Sequence, residues 1–223
     1  MKNVKLILVT VLVLAVSAYL VWHFLLRPEN INLKQSDATV DRTIIAFGDS
    51  LTAGYGLPLY ESYPSQLEKK LQEKGLRVKV INAGVSGETS MGNSERASFI
   101  QEQKADMVIW GIGGNDALRA LPLGELKNNM ERTIRILQSG QNPPKILMLE
   151  MRSPANFGIA YKKSFDALYK DLSKKYNILL VPFLVPSVFL KADLMQEDRI
   201  HPNKLGYAKL IDDFILPAVL KGI

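Results

Sequence analysis

Acid–base chemistry in this chain depends on very few residues. The sequence contains two histidines and no cysteine, and His23 lies within a long apolar segment, so His201 is the histidine available to a folded domain. Asp198 precedes it by three residues. In a turn, an aspartate at that spacing can accept a hydrogen bond from the imidazole Nδ1–H and leave Nε2 free to take a proton. The pattern D-x-x-H is weak by itself, because an ordinary surface turn can produce it.

Ser50, in "FGDSLTAGYG" (47–56), is the first candidate nucleophile. A serine hydroxyl becomes a useful nucleophile beside a general base, and His201 is the one histidine that could serve. The pattern G-x-S-x-G, common around nucleophilic serines, occurs nowhere in the chain. Serine is also a preferred N-cap, so Ser50 could simply begin a helix. These residues alone leave both interpretations open.

Two glycine-rich segments could supply hydrogen-bond donors for an oxyanion. "GGND" (113–116) offers the side-chain amide of Asn115, and "NAGVSG" (82–87) offers the backbone N–H of Gly84. Aimed donors of this kind stabilise the negative charge that develops on an acyl oxygen. Asn, Asp and Gly are also ordinary turn residues. Ser86, in the second segment, is another possible nucleophile with nothing beside it that favours the role.

The rest of the sequence alternates short apolar runs with amphipathic stretches. Continuous apolar runs are typical of parallel strands covered on both faces, and here they are 43–47, 78–83, 107–112, 145–150 and 178–183. Helical spacing of apolar residues occurs between and after them, as in Leu67 and Leu71, Leu126 to Leu137, Phe165 to Tyr176 and Leu205 to Ile215. This alternation predicts a doubly wound α/β/α sandwich. Sites in such folds gather at the carboxyl ends of the strands, where the serine, glycine and asparagine segments fall.

Composition excludes several classes of site. Without cysteine the chain has no disulfide, no thiolate nucleophile and no Cys-ligated zinc. The 28 Lys and Arg against 22 Asp and Glu give a net charge of +6, but the basic residues alternate with acidic ones rather than forming a stripe. A solvated surface is therefore expected, and no nucleic-acid partner. We also expect neither a metal nor a cofactor.

The amino-terminal segment differs from the rest of the chain. Residues 6–26 contain no formal charge, with Lys2 and Lys5 before them and Arg27 after them. A helix of that length spans roughly 30 Å, the thickness of a bilayer core. We expect a membrane anchor (1–27), a polar tether (28–42) and a globular domain (43–223) that lies outside the cytoplasm, in the periplasm. The alternative is a cleaved signal peptide, with "AVSA" (15–18) as the cleavage site and a secreted product.

Four segments together carry a family resemblance. In "FGDSLTAGYG", "INAGVSGETS", "GIGGND" and "DRIHP", in that order, the sequence resembles the SGNH, or GDSL-type, hydrolases. The resemblance continues over nearly all of residues 43–220 and is strongest to bacterial arylesterases, acyl-CoA thioesterases and lysophospholipases. It implies a three-layer α/β/α sandwich around a five-stranded parallel sheet, as in flavodoxin.

The resemblance also implies roles for individual residues. It implies Ser50 as nucleophile, His201 as base and Asp198 as its orienting partner. The implied oxyanion donors are the backbone N–H groups of Ser50 and Gly84 and the side chain of Asn115. The loop containing Ser153 and Pro154 would help to form the acyl pocket, with Ser153 in place of the usual apolar residue.

The expected activity is hydrolysis of carboxylic esters or thioesters through an acyl-enzyme. Small-molecule or lipid acyl esters are the expected substrates. Carbohydrate O-deacetylation is a subclass that the same motifs allow. Two other classes compete: a phosphate or nucleotide binder of flavodoxin-like build, and a catalytically silent, membrane-tethered binding domain. The first lacks a Walker-type or dinucleotide-binding glycine fingerprint.

Overall fold

A parallel β-sheet forms the centre of the domain. The computed structural model describes residues 40–153 and 157–223. Its strands are β1 (Arg42–Gly48), β2 (Val78–Gly84), β3 (Met107–Gly111), β4 (Lys145–Glu150) and β5 (Leu179–Pro182). All neighbouring pairs are parallel and the strand order is β2-β1-β3-β4-β5. Each strand coincides with one of the five apolar runs, so the predicted fold class is confirmed.

Helices cover both faces of this sheet. They are α1 (Ser50–Ala53), α2 (Tyr63–Glu73), α3 (Ser90–Glu102), α4 (Gly114–Leu118), α5 (Leu123–Leu137), α6 (Ile159–Tyr176), α7 (Pro186–Phe189), α8 (Lys204–Leu210) and α9 (Leu216–Gly222). Helices α2, α8 and α9 pack together on one face, and α3, α5 and α6 pack on the other. The sandwich therefore has three layers.

The amphipathic helices form as their spacing predicts. In α5 the apolar residues Leu126, Met130 and Ile134 are fully buried, and they recur every four residues along one face. A single π-helical turn, Ile211–Ile215, joins α8 to α9. Pro217 lies two residues beyond it, and because proline has no N–H to donate, a local departure from α-helical bonding is expected there.

Strand burial departs from the expectation at the edges of the sheet, in β2 and in β5, where Leu179 is exposed. The central strands β1 and β3 are buried on both faces, but β2 alternates, with Lys79 and Ile81 exposed. β2 is an edge strand, so helices cover it less completely than they cover the centre. The continuous apolar run therefore predicted the strand correctly and its two-sided burial incorrectly.

Helix α3 was not predicted because its buried face is polar. Its buried side chains include Ser90, Asn93 and Ser94, followed by Ala97 and Ile100. The Trp110 indole Nε1–H donates to Asn93 Oδ1 at 2.8 Å, and Ser90 Oγ donates to Asp116 at 2.6 Å. Hydrogen bonds make the burial of Ser90 and Asn93 tolerable, whereas Ser94 Oγ is buried with no hydrogen-bond partner among the described residues.

The expected anchor (1–27) and most of the tether (28–42) lie outside the described residues. Within residues 40–153 and 157–223, no helix is both long and apolar enough to cross a membrane. The last residues of the expected tether join the domain, because Arg42 begins β1 and Asp41 forms an ion pair with Arg77 at 2.7 Å.

Candidate active site

Ser50 lies where the chain leaves β1 and enters α1. The strand order reverses on either side of β1, so β1 and β3 flank the crevice where ligands bind in open α/β sheets. Asp49 is the N-cap of α1, and its Oδ1 accepts a hydrogen bond from the Leu51 N–H at 3.0 Å. Because Asp49 provides the cap, the hydroxyl of Ser50 is free to bond elsewhere.

Ser50, His201 and Asp198 form a continuous chain of hydrogen bonds. His201 Nε2 lies 2.8 Å from Ser50 Oγ, and His201 Nδ1 lies 2.6 Å from Asp198 Oδ2. An ionised carboxylate can only accept, so Nδ1 holds the proton and Nε2 is the acceptor for the serine hydroxyl. The arrangement can therefore remove a proton from Ser50.

The Asp198 carboxylate is held in its ionised form by local donors. Partial burial alone would raise the pKa of Asp198. The backbone N–H and imidazole of His201 and the backbone N–H of Ile200 outweigh this effect and bring the pKa below its ordinary value. An ionised Asp198 keeps the imidazole in one tautomer and one orientation.

A second set of contacts fixes the turn that contains His201. The backbone N–H of Gln196 donates to the His201 carbonyl at 2.9 Å. The side-chain amide of Gln196 donates to the Tyr55 carbonyl at 2.8 Å and to the Pro202 carbonyl at 3.0 Å. Gln196 thus ties the turn to the segment that follows α1, and sequence reasoning did not identify it.

Asn115 lies in the first turn of α4, just beyond β3 and on the far side of the crevice from β2. Its Nδ2 donates to the Glu88 carbonyl at 3.0 Å. An amide nitrogen has two hydrogens, so one remains available for a ligand. The bond to Glu88 also connects Asn115 to the loop between β2 and α3.

Gly84 is not brought into the site. Its N–H donates to Asn82 Oδ1 at 3.0 Å, and a Cβ at Gly84 would lie 2.2 Å from the backbone nitrogen of Ala53. Gly84 therefore permits α1 to pack closely on β2. Gly87, three residues later, lines the cleft and has a φ of 79°, a conformation that favours glycine. The second glycine of "GVSG" is the feature of the sequence that could have identified Gly87 as a donor in the site.

Beneath Ser50 lies a buried layer of carboxyl groups. Burial, together with the nearby carboxylates of Glu88 and Asp116, raises the pKa of Asp49 to about 7, although the Leu51 N–H opposes the shift. Asp116 accepts from the N–H and Oγ of Ser90, at 2.9 and 2.6 Å. Glu88 forms an ion pair with Arg96 at 2.7 Å. This layer supports α1, α4 and the loop that contains Gly87.

The cleft above these residues has a volume of about 540 Å³, within the range of small-molecule sites. It is lined by the candidate catalytic and donor residues Ser50, His201, Asn115, Ser86 and Gly87. Its apolar side chains are Leu118, Leu184, Phe189 and Ile200, and its cationic side chains are Arg152 and Arg199. Ser86 is thus in the cleft, but the imidazole contacts Ser50.

The predicted acyl-pocket loop is only partly in place. Ser153 is buried outside the cleft lining, where its N–H donates to Asp166 Oδ1 at 3.2 Å, whereas its neighbour Arg152 faces the cleft. Pro154 lies outside the described residues.

Sequence comparisons agree with this geometry. Residues 46–209 match the model of the GDSL-like Lipase/Acylhydrolase family. The chain is 33% identical over 163 residues to the Thioesterase 1/protease 1/lysophospholipase L1 of Escherichia coli, covering 73% of this chain and 76% of that protein. It is 34% identical over 162 residues to the Arylesterase of Vibrio mimicus, covering 72% of this chain and 80% of that protein.

Solved structures resemble the domain as well. The esterase EstA of Pseudoalteromonas sp., in a structure inhibited by monoethylphosphonate, superposes with a TM-score of 0.75 and 31% identity. The match covers 81% of this chain and 98% of EstA. From the sheet, the serine–histidine contact and these relatives together, the chain belongs to the GDSL-like lipase/acylhydrolase family, the SGNH hydrolases, and is a serine hydrolase of carboxylic esters or thioesters.

Proposed function

We propose that Ser50 is the nucleophile, His201 the general base and Asp198 the residue that orients the base. The observation that supports this most directly is the 2.8 Å contact between Ser50 Oγ and His201 Nε2, continued by the 2.6 Å contact to Asp198. A hydroxyl in this position loses its proton as it attacks, so it becomes a strong nucleophile without ionising beforehand.

The reaction proceeds through an acyl-enzyme. Ser50 Oγ attacks the acyl carbon while its proton passes to His201 Nε2, which gives a tetrahedral oxyanion. His201 then donates that proton to the leaving oxygen or sulfur as the bond to the acyl carbon breaks. Water, deprotonated by the same Nε2, attacks the acyl-Ser50 ester, and collapse of the second tetrahedral species releases the acid and restores the hydroxyl.

We assign the oxyanion to three donors: the backbone N–H of Ser50, the backbone N–H of Gly87 and the side-chain amide of Asn115. Within residues 40–153 and 157–223, neither N–H has a hydrogen-bond acceptor, and Asn115 uses one amide hydrogen on Glu88. Donors without a partner in the resting site can bind the oxygen when its charge develops. Gly87 thus replaces Gly84 in the assignment.

The cleft favours an apolar acyl chain. Leu118, Leu184, Phe189 and Ile200 provide apolar surface beside the serine. Each buried methylene of an acyl chain contributes about 0.8 kcal/mol of binding free energy. Aryl esters, acyl thioesters and lysophospholipids, the substrates that the relatives' names suggest, are the classes that we propose to test first.

The nucleophile is tested by labelling. A fluorophosphonate should modify Ser50 in the wild-type protein, as mass spectrometry of the peptide would show. Ser50→Ala should abolish labelling and lower kcat on a para-nitrophenyl ester by about 10⁴-fold or more. Ser86→Ala, in the same cleft, is the matched control and should keep both. Labelling at Ser86, or an active Ser50→Ala variant, would overturn the assignment.

We also propose that residues 1–27 anchor the chain in a membrane, that the polar segment 28–42 forms a tether up to the residues that join β1, and that the hydrolase domain lies outside the cytoplasm. The support is the uncharged segment 6–26 with lysines before it. Protease added to spheroplasts expressing the full chain should release the domain from a membrane-bound fragment. Full protection, or a soluble product beginning near Tyr19, would contradict the proposal.

A further inference from the structure

Arg199 occupies an unusual backbone conformation inside the proposed active-site turn. It lies between Asp198 and His201 and has a φ of 58°, in the left-handed region. Residues with a Cβ rarely adopt this conformation, because the Cβ then comes too close to the following carbonyl oxygen, whereas glycine adopts it freely. An arginine at this position therefore needs an explanation other than the shape of the turn.

The contacts of Arg199 within the domain do not provide that explanation. Within the described residues, its guanidinium makes no ion pair and no hydrogen bond, although its backbone N–H donates to the Gln196 carbonyl at 3.1 Å. Three other non-glycine residues in the described part of the chain share the left-handed conformation, but all lie just beyond the ends of helices, where such residues are common: Lys104, Ala120 and Asn177. Arg199 differs because it lines the cleft.

Two cationic side chains line the cleft, Arg199 and Arg152. The Arg152 side chain is 45% exposed, with the Glu150 carboxylate 3.9 Å away, at the limit of an ion pair. Of the two carboxyl groups in the lining, Asp198 is engaged by His201, and Asp49 is buried beneath Ser50. A negatively charged group on a substrate would therefore meet, in Arg199, a cation that forms no ion pair within the described residues.

The position of Arg199 indicates which part of the substrate it faces. His201 must donate its proton to the leaving oxygen or sulfur, so the leaving group lies next to the imidazole. Arg199 is two residues from His201 in the same turn. Its charge is thus carried by the turn beside which the leaving group lies, whereas the apolar side chains of Leu118, Leu184 and Phe189 lie on other segments.

We propose that Arg199 is a specificity-determining residue that binds an anionic oxygen group, phosphate or carboxylate, on the leaving group of the ester or thioester. This inference rests on the proposed Ser50 mechanism. The guanidinium presents several donors to such a group, and the cost of the left-handed backbone is accepted at a functional position.

The test compares esters that differ in charge. One pair is para-butanoyloxybenzoate and its methyl ester, and a second pair is para-butanoyloxyphenyl phosphate and its dimethyl ester. In each pair the anion is on the leaving group, and release of the phenol reports turnover. The para-nitrophenyl monoester of succinic acid, with its carboxylate on the acyl part, tests whether the side matters.

The quantity to measure is the ratio of kcat/KM for the anionic ester to kcat/KM for its neutral partner. Arg199→Gly and Arg199→Ala should lower this ratio about three- to tenfold at low salt, and Arg199→Lys should keep most of it. The two pairs distinguish phosphate from carboxylate. The ratio for the succinate monoester against para-nitrophenyl butyrate should not change.

Lys104→Gly is the matched control. It removes one positive charge and relieves the same backbone conformation at the opposite end of the sheet, before β3. Both glycine variants should raise Tm, and only Arg199→Gly should change the ratio. An unchanged ratio in Arg199→Gly, an equal fall in Lys104→Gly, or a loss of Tm confined to Arg199→Gly would overturn the inference. Failure of the proposed mechanism would look different, since neither ester of a pair would then be hydrolysed in a Ser50-dependent manner.

Discussion

The turn that contains His201 and the buried layer beneath Ser50 each place an aspartate beside the reacting groups, yet their electrostatics are opposite. The Asp198 side chain is 34% exposed and its pKa lies below the ordinary value. Asp49 is 1% exposed and its pKa is raised to about 7. Both aspartates accept hydrogen bonds from backbone N–H groups two or three residues later in the chain. Local hydrogen bonding of this kind therefore does not by itself explain why their pKa values shift in opposite directions.

Hydrogen-bond donors and solvent decide the two charge states. Asp198 accepts from two backbone N–H groups and an imidazole. The carboxyl group of Asp49 accepts a hydrogen bond from the backbone N–H of Leu51 and lies near the carboxyl groups of Glu88 and Asp116. Asp198, at the rim of the cleft, is thus favoured in the charged form and can orient a base. Asp49, at the floor of the cleft beneath Ser50, is favoured as a neutral carboxyl group that caps a helix.

The largest expected effect comes from removing the charge at the rim. Asp198→Asn keeps the size of the side chain but removes its negative charge. The neutral amide can also donate to Nδ1 through its NH₂, which would favour the wrong tautomer of the imidazole. We expect kcat to fall by about 10⁴-fold, because the imidazole loses its tautomer and its partner. Steady-state kinetics with a para-nitrophenyl ester would measure it. Asp212→Asn, which breaks a surface ion pair with Lys70, should leave kcat unchanged; an active Asp198→Asn variant would contradict the role of Asp198.

The next largest effect concerns the donor opposite the rim. Asn115→Ala removes an amide that would strengthen its hydrogen bond as the carbonyl becomes tetrahedral. We expect kcat to fall by about 10²–10³-fold with KM changed little. If Asn115 serves only to hold Glu88, the same change should lower Tm while turnover per folded molecule persists. Asn129→Ala, which removes another part-buried amide, one that donates to Ser90, is the control for stability.

Most of the fold could be predicted because its buried residues follow regular periods. The runs of β1 and β3 and the fourfold spacing in α5 are apolar, and apolar periodicity is directly readable. Helix α3 has no such signal, since the side chains of Ser90 and Asn93 on its buried face are polar and form hydrogen bonds to other elements. Its partner Trp110 lies on another element, and a pattern within one helix cannot reveal that contact.

The candidate site could be predicted only to the level of the segments. Ser50, Asp198, His201 and Asn115 were all named from the sequence, and all line one cleft. Gly84 is predicted because it follows the apolar run 78–83, but it is the last residue of β2, and its N–H donates to Asn82 Oδ1, two residues earlier. Which of several adjacent N–H groups faces a ligand depends on backbone direction, and residue type does not fix that direction.

Replacing Asp49 with a residue that cannot ionise should change the pH dependence of the unfolding free energy rather than the catalytic rate. Asp49→Asn can still accept from the Leu51 N–H but cannot ionise. A carboxyl whose pKa rises from 3.8 to about 7 on folding contributes its full stability below pH 3.8 and loses it as the pH rises to about 7. Relative to Asp49→Asn, the wild type should therefore lose about 2–3 kcal/mol of unfolding free energy between pH 5 and pH 8.

Urea unfolding of both proteins at the two pH values would measure this. Asp212→Asn, on an exposed turn, controls for the change in net charge. A difference between wild type and Asp49→Asn that is the same at pH 5 and pH 8 would show that Asp49 keeps one charge state in the folded protein, and the contrast with Asp198 would fail.

The smallest expected effect tests how rigidly the turn that contains His201 is held by Gln196. Gln196→Ala removes the two side-chain hydrogen bonds to the carbonyls of Tyr55 and Pro202. Water can reach this surface and replace them, so Tm should fall by only ~1–3 °C. The imidazole, however, must stay within hydrogen-bonding distance of Ser50, and a less rigid turn should lower kcat about three- to tenfold with little change in KM. Gln72→Ala is the matched control, because Gln72 also donates its amide to a backbone carbonyl, that of Val78, at the opposite end of the sheet. Equal kcat values in the two variants would mean that the Asp198 contacts alone position His201.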